Sequence, residues 1–365
     1  MSLRAQIRDL AGFLRRTERS VHQHTRERVD HVVLLDGTMS SLAEGEETNV
    51  GLIYNLLDEV ARSGGVSLYY EAGTQWSDWS KTLDVIEGRG INRRIRRAYG
   101  WLATRYRPGD RIFLIGYSRG AFAVRSLAGV IDRVGLLRQD EAIERLVQQA
   151  FRHYQINNGG EAREVFSESH CRRDVPIEMI GCFDTVKSLG LRAPFVWQWS
   201  EVRHSFHNHQ LGHHIRHGFH ALALDETREA FRPILWECEP GREGTVEQVW
   251  FRGSHSDIGG QLAGSHKARP LSNIPLVWML ERIERSGVSL PARWQQRFPT
   301  DPDAPSVGTW SGWGKIFLAR KKRVYGTDPS ESVHSSAAGR PFLAREFGEA
   351  VETPSASPLG HWLSK

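Results

Sequence analysis

The string Gly116-Tyr117-Ser118-Arg119-Gly120 sets a serine between two glycines. A G-x-S-x-G string is weak alone, so its flanks decide what it can do. The apolar run Arg111-Ile-Phe-Leu-Ile115 leads into it, and Ala121, Val124, Leu127 and Ile131 follow at helical spacing. A serine on so sharp a strand-to-helix turn carries its oxygen above a sheet edge, and flanking glycines let the turn close. The helix N-terminus behind it favours developing negative charge. An ordinary βα turn with a capping serine is the plain alternative. The flanks predict Ser118 as a nucleophile.

A serine nucleophile needs a base, and the base needs an orienting carboxylate, in the chain order Ser, Asp or Glu, His. Asp184 follows the predicted strand 177–181, and His255 lies on the glycine-containing stretch Arg252-Gly-Ser-His-Ser-Asp-Ile-Gly-Gly260 after the predicted strand 246–251. They are the expected acid and base. Rivals are His220 and His334 for the base, and Asp225 and Asp257 for the acid. The oxyanion of an acyl-transfer intermediate needs two N–H donors. One is expected from Arg119, directly after the nucleophile. The other is expected from Gly37 or Thr38, in Asp36-Gly37-Thr38-Met39 after the apolar run 31–35. Asp-Gly-Thr also ends the loop of aspartate-dependent phosphatases, but the nucleophile position two residues earlier holds Leu34.

Seven of the sixteen histidines lie between His204 and His220. His213 and His217 would share a helix face, but no H-E-x-x-H pattern accompanies them, and a polar lid explains the run as well. No metal and no cofactor are expected. The aromatic cluster Phe195, Val196, Trp197 and Trp199 follows Asp184. It is either a core strand of an insertion or an apolar lid lining an acyl site, with Trp197 and Trp199 on one side of an extended segment.

The elements that must position these residues alternate. Predicted strands at 31–35, 66–70 and 111–115 are short continuous apolar runs, as in a parallel sheet buried on both faces. Predicted helices at 49–63 and 91–106 lie between them. The five arginines of the second helix read as a solvated face, with a phosphate-binding patch as the other reading. The fold class is therefore α/β, with a mostly parallel central sheet, helices on both faces and an inserted lid. The expected organisation is a basic amphipathic helix over 1–30, a catalytic domain over 31–345 with a lid over 186–220, and a flexible tail over 346–365. The first helix, with seven arginines before Asp30, either packs on the domain or touches a membrane surface.

Composition bounds the rest. The chain has 365 residues, 39% hydrophobic and 25% charged, which fits a folded domain and not a disordered chain. A net charge of +5 is too weak to argue for nucleic acid. Cys171, Cys182 and Cys238 form no disulfide framework. With no signal peptide and no apolar run long enough for a transmembrane helix, the expected home is cytoplasmic.

The strings Leu35-Asp-Gly-Thr38, Gly116-Tyr-Ser-Arg-Gly-Ala121 and His255-Ser-Asp-Ile-Gly-Gly260 together resemble an α/β-hydrolase family long classed as a domain of unknown function. That family includes the catalytic domains of type VI secretion phospholipase effectors. Tyr106-Arg-Pro-Gly-Asp110, Asp184-Thr-Val186, the run from His220 to Glu226 and His334-Ser335 extend the likeness over roughly 31–340. Phe183 and Met39 stand where the family has tryptophans, and neither change removes a catalytic group. The resemblance implies a Ser-Asp-His lipase or esterase built on Ser118, Asp184 and His255. It also implies a lipid or small acyl-ester substrate, and export by a specialised secretion system as an alternative to a cytoplasmic home. A non-catalytic binding or scaffold module on the same fold is the rival reading.

Overall fold

The computed structural model describes residues 27–73, 89–156, 160–186, 211–238, 241–310, 318–338, 343–346 and 349–352. Strand β1 (Asp30–Leu35) shows why a sheet forms here. Val32 to Leu35 are wholly buried, and successive side chains enter different cores. Val33 and Leu35 join one cluster; Val32 and Leu34 join the other. Strand β3 (Arg111–Tyr117) divides the same way, with Ile112 and Leu114 on one side and Phe113, Ile115 and Tyr117 on the other. This period of two, apolar on both faces, requires helices above and below.

Helices α1 (Asn49–Ala61), α2 (Arg89–Arg105), α3 (Arg119–Val134), α4 (Glu144–Gln155) and α5 (Glu161–His170) supply most of that cover. Strands β2 (Val66–Glu71), β4 (Ile177–Phe183), β5 (Ile215–Ala223) and β6 (Thr245–Phe251) build the sheet with β1 and β3. Helices α6 (His255–Gly259) and α7 (Arg269–Arg285) and strand β7 (Glu331–Val333) complete it. One core packs under α2, α3 and α4; the other packs under α1 and α7. Strand order is β7-β6-β5-β4-β3-β1-β2, and every pairing is parallel. Leu35 pairs with Gly116, Tyr117 with Phe183 and Ala223 with Phe251. The segments after β1, β3, β4 and β6 therefore leave one edge of the sheet, where α/β proteins bind ligands.

Three expectations change. The histidine run does not continue as lid to 220, because Ile215–Ala223 is a central strand buried from Gly218 onward. Its histidines and glycine disguise it, since a strand buried on both faces need not alternate in polarity. His213 and His217 consequently share no helix face: one is in a turn, the other in β5. The tail is not irregular from 346 either: Glu349–Glu352 pairs antiparallel with Leu343–Glu346, which pairs with Val324–Tyr325. The helix expected over 1–30 lies outside the described residues up to 26, and its end is not helical, because Asp30 opens β1; the aromatic cluster with Phe195, Trp197 and Trp199 and residues 353–365 also lie outside the described residues. Among the described residues no helix is long and apolar enough to cross a membrane.

Candidate active site

Ser118 sits between β3 and α3 with φ 57° and ψ −121°. A non-glycine residue with this positive φ is strained, and such strain persists only where neighbours fix it. Its N–H donates to Phe183 O at 3.0 Å, and its carbonyl accepts from Phe122 N at 3.2 Å. The glycines two residues away on either side have a steric reason. A Cβ on Gly116 would lie 2.6 Å from Ala121 N, and one on Gly120 would lie 1.9 Å from Leu35 O. The helix can begin against β1 only because residue 120 has no side chain.

His255 opens α6, directly after the capping residue Ser254. Asp257 Oδ2 accepts from both the N–H and the hydroxyl of Ser254 at 2.7 Å. Val307 N and Ser306 Oγ also donate to Asp257, which fixes this rival acid as the cap of a turn. The His255 N–H donates to Glu226 Oε2 at 3.1 Å, and its carbonyl accepts from Tyr117 Oη at 3.2 Å. Tyr117 lies beside the imidazole with ring centroids 4.9 Å apart, and Phe231 lies at 4.8 Å from it. Glu226 is itself held by Arg228, whose guanidinium covers the Phe231 ring.

These anchors bring three distant residues into one chain. His255 Nδ1 is 2.6 Å from Asp184 Oδ2, and His255 Nε2 is 2.9 Å from Ser118 Oγ. An ionised carboxylate only accepts, so Nδ1 carries the proton and Nε2 is left to accept from Ser118. Asp184 has a φ of 42° and no exposed surface. Its Oδ1 accepts from Ala223 N at 3.0 Å and Arg323 Nη1 at 2.6 Å; its Oδ2 also accepts from Arg323 Nη2 at 2.9 Å. Burial pushes this carboxyl up, but the Arg323 charge and the His255 hydrogen bond outweigh it and hold Asp184 well below the usual carboxylate range. Arg323 also donates to the carbonyls of Ala223 and Phe231, so its fork is fixed in place.

The loop after β1 lies against the same edge. The Gly37 N–H donates to Asp36 Oδ1 at 2.7 Å, which takes it out of contention as an oxyanion donor. The N–H groups of Thr38 and Arg119 make no hydrogen bond with described residues. Asp36 is further held by Thr48 Oγ1 at 2.6 Å and Tyr70 Oη at 2.8 Å. Arg94 does not lie on a solvated helix face: it is buried and donates to the carbonyls of Asp36 and Glu71, each at 2.9 Å.

The rival bases have other partners. His220 Nε2 accepts from Thr185 N at 3.1 Å, and burial, with Arg125 nearby, pushes its pKa down to about 3. His334 Nδ1 accepts from Ser336 N at 3.1 Å while its ring stacks on Phe251, and burial brings its pKa down to about 4. Asp225 accepts from Gly253 N at 2.8 Å. Among the described residues no group of three or more His, Cys, Asp or Glu side chains could hold a metal. Sequence reasoning missed Arg323, which sits in the basic run Lys321-Lys322-Arg323 and carries no motif.

The parallel sheet, with Ser118 at its carboxyl edge, defines an α/β-hydrolase fold. A family model described as the type VI secretion phospholipase effector Tle1-like catalytic domain matches residues 30–282, and the chain belongs to that family. An uncharacterized protein of Saccharomyces cerevisiae is 27% identical over 251 residues, covering 61% of this chain and 35% of its own. A crystal structure of an uncharacterized protein from Pseudomonas aeruginosa has 16% identity and a TM-score of 0.40, with 75% of this chain and 49% of that one covered. The structure of the Tle1 effector bound to the VgrG spike of the type 6 secretion system has 17% identity and a TM-score of 0.34, with 64% and 51% covered. The chain thus spans about a third of the curated relative and about half of each solved chain.

Proposed function

We propose that the protein is a serine hydrolase that cleaves carboxylic esters of lipid-like substrates through Ser118, His255 and Asp184. One observation carries this reading: the hydrogen-bonded chain Asp184–His255–Ser118, at 2.6 and 2.9 Å, ends on a serine held at a strained positive φ. Ser118 Oγ attacks the ester carbonyl carbon while His255 Nε2 takes the hydroxyl proton. Asp184 keeps the imidazole in the right tautomer and stabilises its cationic form. The N–H groups of Arg119 and Thr38 receive the oxyanion, each worth on the order of 10²–10³ in rate. The tetrahedral intermediate collapses, and His255 protonates the leaving alcohol. Water, activated by the same base, then releases the acid and restores Ser118. The lipid character of the substrate rests on the family's phospholipase description.

Kinetics of Ser118→Ala on p-nitrophenyl esters of increasing chain length and on defined phospholipids test the reading. The expected loss is on the order of 10⁶ in kcat. Circular dichroism should be unchanged, because a site hydroxyl adds little stability. Full turnover by the folded variant overturns the mechanism.

A further inference from the structure

The turn that carries the Thr38 N–H is held in an unfavourable form. Ser40 N donates to Gly37 O at 3.3 Å, which closes a four-residue turn with Thr38 and Met39 at its centre. Met39 has a φ of 63°, whereas Thr38 keeps a negative φ. That is the pattern of a type II turn, whose third position calls for glycine or asparagine. A methionine there favours the type I form, in which the peptide between residues 38 and 39 is turned over. Strain of this kind persists only where the surroundings fix it.

Gln261 supplies a fixing contact. Its Nε2 donates to Thr38 O at 2.8 Å, and that oxygen belongs to the 38–39 peptide. A carbonyl oxygen only accepts, so turning this peptide over breaks the bond. Gln261 is itself anchored: its N–H donates to Ser256 O at 3.0 Å, just past the end of α6, the helix that His255 opens. The two segments also meet across the ring of Tyr117, the residue before the nucleophile. A Cβ on Gly37 would lie 2.5 Å from one edge of that ring, and a Cβ on Gly259 would lie 2.0 Å from the other. The turn after β1 and α6 therefore pack on the same aromatic, and the Gln261 amide ties them together directly.

We propose that Gln261 is a positioning residue for the oxyanion: by holding Thr38 O it keeps the strained turn, and with it the Thr38 N–H, in one geometry, and it links that donor to the helix of the base. This deepens the hydrolase reading and rests on it. The oxyanion develops only as the ester is attacked, so a contact that orients its donor acts on kcat and leaves substrate binding alone.

The test measures kcat and KM on p-nitrophenyl butyrate for wild type, Gln261→Glu and Gln261→Leu, each also in a Met39→Gly background. Neither an ionised carboxylate nor an alkyl group donates to Thr38 O. The expected loss is about 10–100-fold in kcat with KM unchanged, because misplacing a group by about 1 Å can cost about 10² in rate. A trifluoromethyl ketone, whose adduct on Ser118 carries the oxyanion, should lose affinity in step. Glycine adopts a positive φ without strain, so in the Met39→Gly background the same substitutions should cost several-fold less. The two replacements differ in polarity, so a loss that comes from folding alone would not be shared by both, and circular dichroism checks each. An unchanged kcat overturns the inference. So does a rise in KM at constant kcat, or an equal loss in the Met39→Gly background, which would mark Gln261 as packing. Each of these leaves the hydrolase standing as long as folded Ser118→Ala is inactive. Loss of the hydrolase reading itself would show differently, as undiminished turnover in Ser118→Ala.

Discussion

Arg323→Gln removes the charge that keeps the buried Asp184 ionised while leaving Ser118 and His255 untouched. In the native protein both carboxylate oxygens lie on the guanidinium fork, at 2.6 and 2.9 Å, and Asp184 has no exposed surface. Burial alone can raise a carboxyl by about 3–5 units. With His255 still donating, a rise of about two units above the reference value is the working figure. A protonated Asp184 no longer orients the imidazole, and that carboxylate is worth about 10⁴ in kcat. The variant therefore gains a further protonation on the acid limb of its pH–rate profile. Its activity relative to wild type should be at least about tenfold lower at pH 5 than at pH 8, since each unit below the new value costs tenfold. Stability follows the same linkage with a change of sign. In wild type the depressed Asp184 contributes stability above about pH 3.9 that is lost as pH falls through its folded value. In the variant the buried carboxylate costs stability at neutral pH, and protonation relieves that cost. Breaking the buried pair should cost about 3–5 kcal/mol near pH 7. That is roughly 4–7 °C in Tm for a chain of this size, shrinking toward pH 5. The assay is kcat/KM on a short p-nitrophenyl ester from pH 5 to 9, with melting curves in the same buffers. Parallel profiles with a constant loss, or a Tm gap independent of pH, would refute the reasoning and leave Arg323 as packing.

Two other predictions address the base and the turn. His255→Ala should lose nearly as much kcat as Ser118→Ala, whereas His334→Ala and His220→Ala should keep most turnover of a short ester per folded molecule; the reverse pattern moves the base elsewhere. Gly120→Ala should destabilise by about 3 kcal/mol or more, because its new Cβ would meet the Leu35 carbonyl at 1.9 Å. Gly100→Ala, within α2 and with Val147 at an ordinary 3.6 Å, should instead stabilise by about 0.5–1 kcal/mol in the same melting experiment.

What the sequence reveals about this site depends on how local the determinants are. Ser118 is legible because an apolar strand, two glycines and an amphipathic helix are contiguous in the chain. Asp184 and His255 are legible because each follows a predicted strand in the order a triad requires. Arg323 is not, because it reaches Asp184 across 139 residues from a basic run that resembles a solvated surface. It also lies beyond the stretch that the family model matches. The string Asp36-Gly37-Thr38 does not reveal that the Asp36 side chain folds back to accept from the Gly37 N–H, which leaves the Thr38 N–H as the proposed donor. Strand β5 escaped notice for a related reason: His217, Gly218 and His220 break its apolar run, and only its place between β4 and β6 makes it a strand. The sheet is readable where apolar runs are continuous, including β4 and β6, and not at β5 or at the three-residue edge strand β7.

The central claim is that Ser118 is an activated nucleophile. Treatment of the folded protein with a fluorophosphonate, followed by peptide mass spectrometry, tests it most directly, because only a serine coupled to a working base reacts. The account predicts one adduct, on the peptide that contains Ser118, absent from Ser118→Ala and strongly slowed in His255→Ala. An unlabelled folded protein, or an adduct that persists in Ser118→Ala, would contradict it.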